Sequence, residues 1–264
     1  MHPIERLRYV ARASGAPADD VVREAAASLA GFAEDPASLL TACRRLIDRH
    51  PANAAIWWLC ARMLAAAGSA EEAWRCLDDL AADPTIDELA NALPDEGRVV
   101  VIGWPERLSP AFARRGDVEV RVVDVEGDGA GFVRLLERCD VAAIDVDVTG
   151  LAPAVAASGL VVLDATAVGP ETALVASGSW AAAAVAQAAG VAVWLVGGRG
   201  HQVSAAMWPA LSRRLAGAAA APWDRDRDHL PLDLVDRLVG PVGPEPVADG
   251  QARIDTPDIA ELRR

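Results

Sequence analysis

The chain contains no lysine; all 25 of its basic residues are arginine. A Schiff-base enzyme needs a lysine amine, and a Walker-type loop needs a lysine to reach the β- and γ-phosphates, so both mechanisms are excluded. Together with the abundance of alanine, this bias is what a genome rich in G and C produces. Cysteine is scarce and unpatterned. Cys43, Cys60, Cys76 and Cys139 form no CxxC pair and no metal-like spacing, which leaves no zinc site or disulfide framework to argue from. The first three fall in amphipathic helical segments and read as buried thiols. Cys139, between a helix and the strand that starts at Val141, is either another packed thiol or a nucleophile at a sheet edge.

Positive charge is also in short supply. With 38 acidic residues and a net charge of −13, the chain lacks the concentrated basic surface that binds phosphate backbones, so no nucleic-acid partner is expected. The one long uncharged run, Thr172 to Gly198, exceeds the roughly 20 residues a bilayer requires. It is nevertheless rich in Ala and Gly and carries Ser177, Ser179 and Gln187 in place of dense Leu, Ile and Phe, so it reads as a buried core and no membrane partner is expected. The N-terminal MHPIERLRYVARAS is amphipathic and charged rather than a signal peptide, which points to the cytoplasm. No cofactor and no metal are implied. Asp145 and Asp147 alternate at a strand end, but a carboxylate pair without a partner histidine is a poor ligand set.

What is present is a chain of 264 residues, 52% hydrophobic, enough for one large domain or two ordinary ones. Residues 1 to 93 read as successive helices. Pro3 suits a first helical turn, Asp35-Pro36 an N-cap with proline at N1, and Gly68 a helix stop. Ser69 with Glu72, and Thr85 with Glu88, have capping-box spacing. His50 to Pro84 resembles a single tetratricopeptide repeat, although a stable array needs about three. Its Trp57, Trp58 and Trp74 are expected in a core rather than on an exposed platform.

After the polar turn Leu93-Pro94-Asp95-Glu96-Gly97 the pattern changes to short apolar β-branched runs: 98–103, 118–125, 141–146, 160–163 and 191–196. Helical segments separate them. This alternation predicts a Rossmann-like parallel sheet over 94–240, behind an all-helical N-terminal domain over 1–93 and ahead of a mobile Pro/Gly-rich tail over 241–264 that could dock Thr256 to Arg263 as a short helix. The fold class is α/β. Ligands of such sheets bind beyond the carboxyl ends of the strands, which directs attention to the loops at Gly103, Asp124, Asp147 and Asp164 and the one after Gly197.

The segment Leu160 to Gly198 reads there as strand, small-residue loop, helix, strand. Gly169, Pro170 and Gly178 lie in the loop, and Ser177, Gly178 and Ser179 open the helix, where unpaired N–H groups and the macrodipole favour an anion or a capping side chain. Gly190 then ends it. Asp164 is a candidate base, or an acid that caps the following loop. Arg199 and His201, in GGRGH, would meet a phosphate or lie in a solvated loop. The alternating run Trp223 to His229 reads as a surface turn.

These features, in order, resemble the superfamily of eukaryotic initiation factor 2B regulatory subunits, methylthioribose-1-phosphate isomerases and ribose-1,5-bisphosphate isomerases. In that family an acid-ending strand leads through a Gly-rich loop to Asn-Lys-x-Gly-Thr, an Ala-rich helix and a further strand. The counterparts are Leu160 to Ala165, Val175 to Ser179, Ala181 to Gly190 and Val191 to Val196. Val148 to Leu151 resembles the family's Ala-Val-Gly-Tyr turn, and Pro231 to Val235 its Phe-Asp-Leu segment. The departures are equally informative: Gly103-Trp104-Pro105-Glu106 stands where the isomerases carry their catalytic cysteine, Val175-Ala176 replaces Asn-Lys, and Val125-Glu126-Gly127 replaces Glu-Ser-Arg.

The resemblance implies a non-catalytic relative that binds a phosphorylated metabolite, a sugar phosphate or nucleotide, or that works through protein contacts. Its ligand residues would be Gly103, Trp104, Gly169, Ser177, Gly178, Ser179 and Arg199. The alternatives are a sugar-phosphate aldose–ketose isomerase rearranged around Asp164, with Cys139, and a helical-repeat interaction module. A homodimer is the oligomeric state the resemblance implies.

Overall fold

The computed structural model describes residues 18–32, 35–216, 221, 223, 225–251 and 253–263; Pro3 lies outside them. Five helices come first: α1 (Ala18–Leu29), α2 (Pro36–Arg49), α3 (Ala54–Ala65), α4 (Ala70–Ala81) and α5 (Thr85–Ala92). Asp35 caps α2 as expected, its side chain accepting the Ser38 N–H. The two capping boxes do not form. Ser69 is an N-cap without a side-chain bond, and the Glu72 carboxylate pairs with Arg62 rather than reaching back to the Ser69 N–H. Thr85 lies inside α5 and donates its hydroxyl to Asp83. Helix α3 is apolar apart from Arg62, and Ala54 to Ala61 are buried without a break, as a central helix requires. Trp57 and Trp58 are fully buried in it, whereas Trp74 is 53% exposed on α4, against expectation.

The Rossmann-like part contains β1 (Arg98–Ile102), α6 (Ser109–Arg115), β2 (Glu119–Asp124), α7 (Gly129–Glu137), β3 (Ala142–Asp147), α8 (Leu151–Ala156), β4 (Leu160–Val168), β5 (Thr172–Ala176), α9 (Ser179–Ala189), β6 (Ala192–Val196) and α10 (Trp208–Ala216). It continues through β7 (Arg227–Pro231), β8 (Arg237–Gly240), β9 (Gly243–Glu245) and α11 (Val247–Gln251). The main sheet runs β3-β2-β1-β4-β6-β8-β9, parallel except for β9. Strand order therefore reverses between β1 and β4, the place where doubly wound folds open a crevice. Both faces are covered. Val99 and Val101 pack on one side with Phe112 and Phe132, and Val100 and Ile102 on the other with Ala182 and Ala186, following the two-residue alternation of a strand.

Two expectations fail here for one reason, that extra strands form. Strand β4 does not stop at Leu163: it crosses a register shift between Ala165 and Ala167 and pairs antiparallel with β5, which in turn pairs with β7. The loop expected after Asp164 is thus a hairpin. The stretch after residue 241 is folded as well. It supplies β9 and α11, and its end packs Leu262 into the helical core while Thr256 donates to the Gln202 carbonyl. Ala260–Leu262 forms a short 3-10 turn within the expected helix.

Candidate functional site

At the strand reversal the chain places an arginine. Arg107 follows β1 in the short turn Glu106–Leu108, and its guanidinium reaches over the ends of β4 and β6. Its Nε donates to Asp164 Oδ1 at 3.0 Å, Nη2 donates to the same oxygen, and Nη2 also donates to the Val196 carbonyl at 3.1 Å. The two side chains are 25% and 22% exposed, so the pair is partly desolvated and held by several bonds at once. Asp164 is thereby an acceptor already engaged.

The helical part closes one side. Asp83, between α4 and α5, accepts the Arg199 N–H at 2.8 Å through one carboxylate oxygen and the Thr85 N–H through the other. Gly198 permits this approach, since a Cβ there would stand 2.2 Å from Asp83 Oδ2 and 3.3 Å from Arg107 Nη1. His201 completes the cluster, with Nδ1 3.0 Å from the Arg199 carbonyl. Packing around the partly buried ring, with Arg107 nearby, pushes its pKa down to about 4; Asp164, the Arg199 carbonyl and Asp83 oppose that shift without cancelling it.

A histidine that is neutral in the fold but protonates near pH 6.5 when unfolded binds more protons in the unfolded state between those values. Stability is therefore expected to fall as pH drops from 6.5 to about 4, by a total of about 2–3 kcal/mol. Urea midpoints across that range should show the slope in the wild type and lose most of it in His201→Gln.

The helix start expected to seat an anion is occupied from within. Gly178 takes the left-handed conformation at φ +88° and Ser179 is 2% exposed, while the Trp180 N–H donates to Asp228 Oδ2 at 2.9 Å. Ser177 donates its N–H to the Asp226 carbonyl. A carboxylate from β7 is thus the anion, which the spacing of 48 residues between Trp180 and Asp228 hides from a sequence window. Asp228→Ala is expected to cost about 1 kcal/mol in thermal unfolding. The Gly190 stop forms as expected, at φ +70°.

The other candidates divide by position. Gly103, at φ +64°, and Gly178 both approach Val125, and Trp104 lies against Gly131 with its ring 5.8 Å from that of Phe132. Those residues converge beside β1. Gly169 does not join them: it turns the β4–β5 hairpin against Trp208 and accepts from Gln251. Cys139 is exposed ahead of β3, at the amino end of the sheet, so it cannot meet Asp164. Asp147 is engaged by Thr149, and Asp124 accepts the N–H groups of Glu126, Gly127 and Asp128. Among the described residues, no group of three or more His, Cys, Asp or Glu is placed to hold a metal, and no helix is long and apolar enough to cross a membrane.

No family model and no curated protein matches the sequence. Solved structures do match the fold. eIF2B beta from Chaetomium thermophilum aligns with a TM-score of 0.74 at 18% identity, over 98% of this chain and 91% of its own. Translation initiation factor eIF-2B from Pyrococcus horikoshii OT3 aligns at 0.75 and 11% identity, over 94% and 98%. A chain of the tetrameric eIF2B-beta2-delta2 complex from C. thermophilum aligns at 0.72 and 18% identity, over 95% and 92%. The protein therefore has the eIF2B-like fold along nearly its whole length, with the helical part in front of a mostly parallel sheet.

Proposed function

We propose that this protein is a non-catalytic relative of the initiation factor 2B-like and sugar-phosphate isomerase superfamily that binds a small phosphorylated metabolite, a sugar phosphate or nucleotide, at the Arg107 crevice. The observation that carries this reading is the Arg107–Asp164 pair at the strand reversal. Moving a proton between adjacent carbons needs a base and an acid within reach of the substrate. Asp164 is the carboxylate at that position, and Arg107 holds it in an ion pair; Cys43, Cys60 and Cys76 are buried in the helical core, and Cys139 is at the opposite end of the sheet. Arg107 in turn is a fixed guanidinium at a ligand crevice, and guanidinium suits phosphate. Asp164 would compete for it, which keeps affinity modest.

The test is a thermal-shift panel of ribose phosphates, methylthioribose phosphate and nucleotides. A shift that disappears in Arg107→Met, without turnover, supports the proposal. Turnover that disappears in Asp164→Asn would establish the isomerase alternative, and no shift with any compound would favour an interaction module.

The same reading includes a homodimer in the cytoplasm. The beta2-delta2 complex is an assembly of proteins of this fold, and β3 here is an edge strand carrying Ile144, 47% exposed, followed by Val148, 49% exposed. A single monomer mass by light scattering would remove the dimer.

A further inference from the structure

Beyond the end of β6 the chain runs through Gly197, Gly198 and Arg199 to Gln202, while the neighbouring β8 turns at Pro241 and Val242 into β9. Between these two turns, α11 and Asp255 lies a cavity of about 180 Å³. It is a different place from the crevice above: Arg107, Asp164 and His201 do not line it.

Its polar groups are incompletely satisfied. Gln202 is 6% exposed and lines the cavity, and its Oε1 is buried without a hydrogen-bond partner. Turning the amide round would put an equally unpartnered NH2 there, so the unmet group does not depend on how the amide is assigned. Arg199, also on the wall, has its Nε buried without a partner; no salt bridge closes on its guanidinium among the described residues, although the Asp255 carboxylate lies near enough to interact with it. Buried polar groups are normally paired, so two unmet ones on a single cavity wall point to a partner there, a bound molecule or water. The wall also carries Glu245 and Arg253, which satisfy each other through two bonds of 2.8 and 2.9 Å. Asp255 completes the wall, where burial pushes its carboxyl up from the usual range while the Gly200 N–H, Arg199 and the Trp58 indole act in the opposite direction. Leu238 and Val242 add apolar surface, Val242 being 52% exposed.

We infer that this cavity binds a free α-amino acid, whose carboxylate meets Arg199, whose ammonium lies between Gln202 Oε1 and Asp255, and whose side chain rests on Leu238 and Val242. The chemistry separates this from a second phosphate site. An anion would satisfy Arg199 but would be repelled by Asp255, whereas a zwitterion meets both, its ammonium also serving as donor where the Gln202 amide presents Oε1. The volume agrees, with room for a molecule of about ten non-hydrogen atoms or fewer. The inference does not rest on the proposed function, whose ligand is held by Arg107, although Gly198 and Arg199 border both places.

The test is calorimetric and thermal-shift titration of the full chain with the natural amino acids, the des-amino acid and decarboxylated amine of any that bind, and inorganic phosphate. At least one amino acid should bind, and each analogue lacking one charge should bind at least about tenfold more weakly. Val242→Trp, at the exposed mouth, should abolish binding while leaving the unliganded melting temperature unchanged. Arg199→Gln and Gln202→Leu should each weaken it at least about tenfold. The response to sugar phosphates should survive Val242→Trp, so the two sites fail separately. Absence of binding by every amino acid, binding unaffected by Val242→Trp and Arg199→Gln, or equal binding of a des-amino acid would each overturn the inference.

Discussion

Replacing Trp58 with alanine is expected to destabilise the protein by about 3–5 kcal/mol, the range for removing a fully buried large aromatic. Trp58 is 0% exposed and joins two parts of the molecule. One face stacks under the Arg62 guanidinium, 4.9 Å from the ring centroid, and a Cβ on Gly200 would stand 3.3 Å from its ring. The substitution thus opens a cavity under the loop that carries Arg199 and His201. Trp74→Ala, on the exposed face of α4, should change stability by no more than about 0.5 kcal/mol. Urea unfolding of the two variants side by side decides between a core and a recognition platform for these tryptophans. Equal effects would contradict the packing described.

The second large effect concerns the crevice. Arg107→Met leaves the Asp164 carboxylate partly buried without its counter-charge and removes a donor from the Val196 carbonyl, which should cost about 2 kcal/mol. Asp164→Leu strands the guanidinium in the same way. Because the two side chains act as a unit, the double variant should lose less than the sum of the singles, with a coupling of about 1–3 kcal/mol in a double-mutant cycle. Single losses that add to within about 0.5 kcal/mol would mean that Arg107 does not hold Asp164, and would return it to the role of a free base.

Local grammar made much of this fold legible. The Asp35 cap, the Gly190 stop and the five parallel strands ahead of β8 all follow from residues close in sequence. The failures are non-local. Strand β4 changes partner at a shift in register, and β5 and β7 find each other across more than fifty residues of chain, so Gly169-Pro170 read as a loop rather than a hairpin turn. The site was obscured likewise. Arg107 lies 57 residues from Asp164, and nothing in Pro105-Glu106-Arg107 marks it beyond its place after β1. Asp83 was masked by a different signal, since Asp83-Pro84-Thr85 looks like the end of a helical repeat. The spacing of Ser69 and Glu72 was correct for a capping box, but Arg62, which also donates to Asp79, gives the Glu72 carboxylate a charged partner instead.

The fold that the resemblance implies is present along nearly the whole chain. The Ser-Gly-Ser helix start has the expected backbone, with Gly178 left-handed, yet Asp228 fills the seat that a ligand anion would take.

The most direct measurement is an NMR time course of the protein with isotope-labelled ribose phosphates, watching ligand binding and aldose–ketose conversion in the same sample. Binding that is lost in Arg107→Met, with no conversion, is the predicted result. Conversion by the wild type that stops in Asp164→Asn would contradict it.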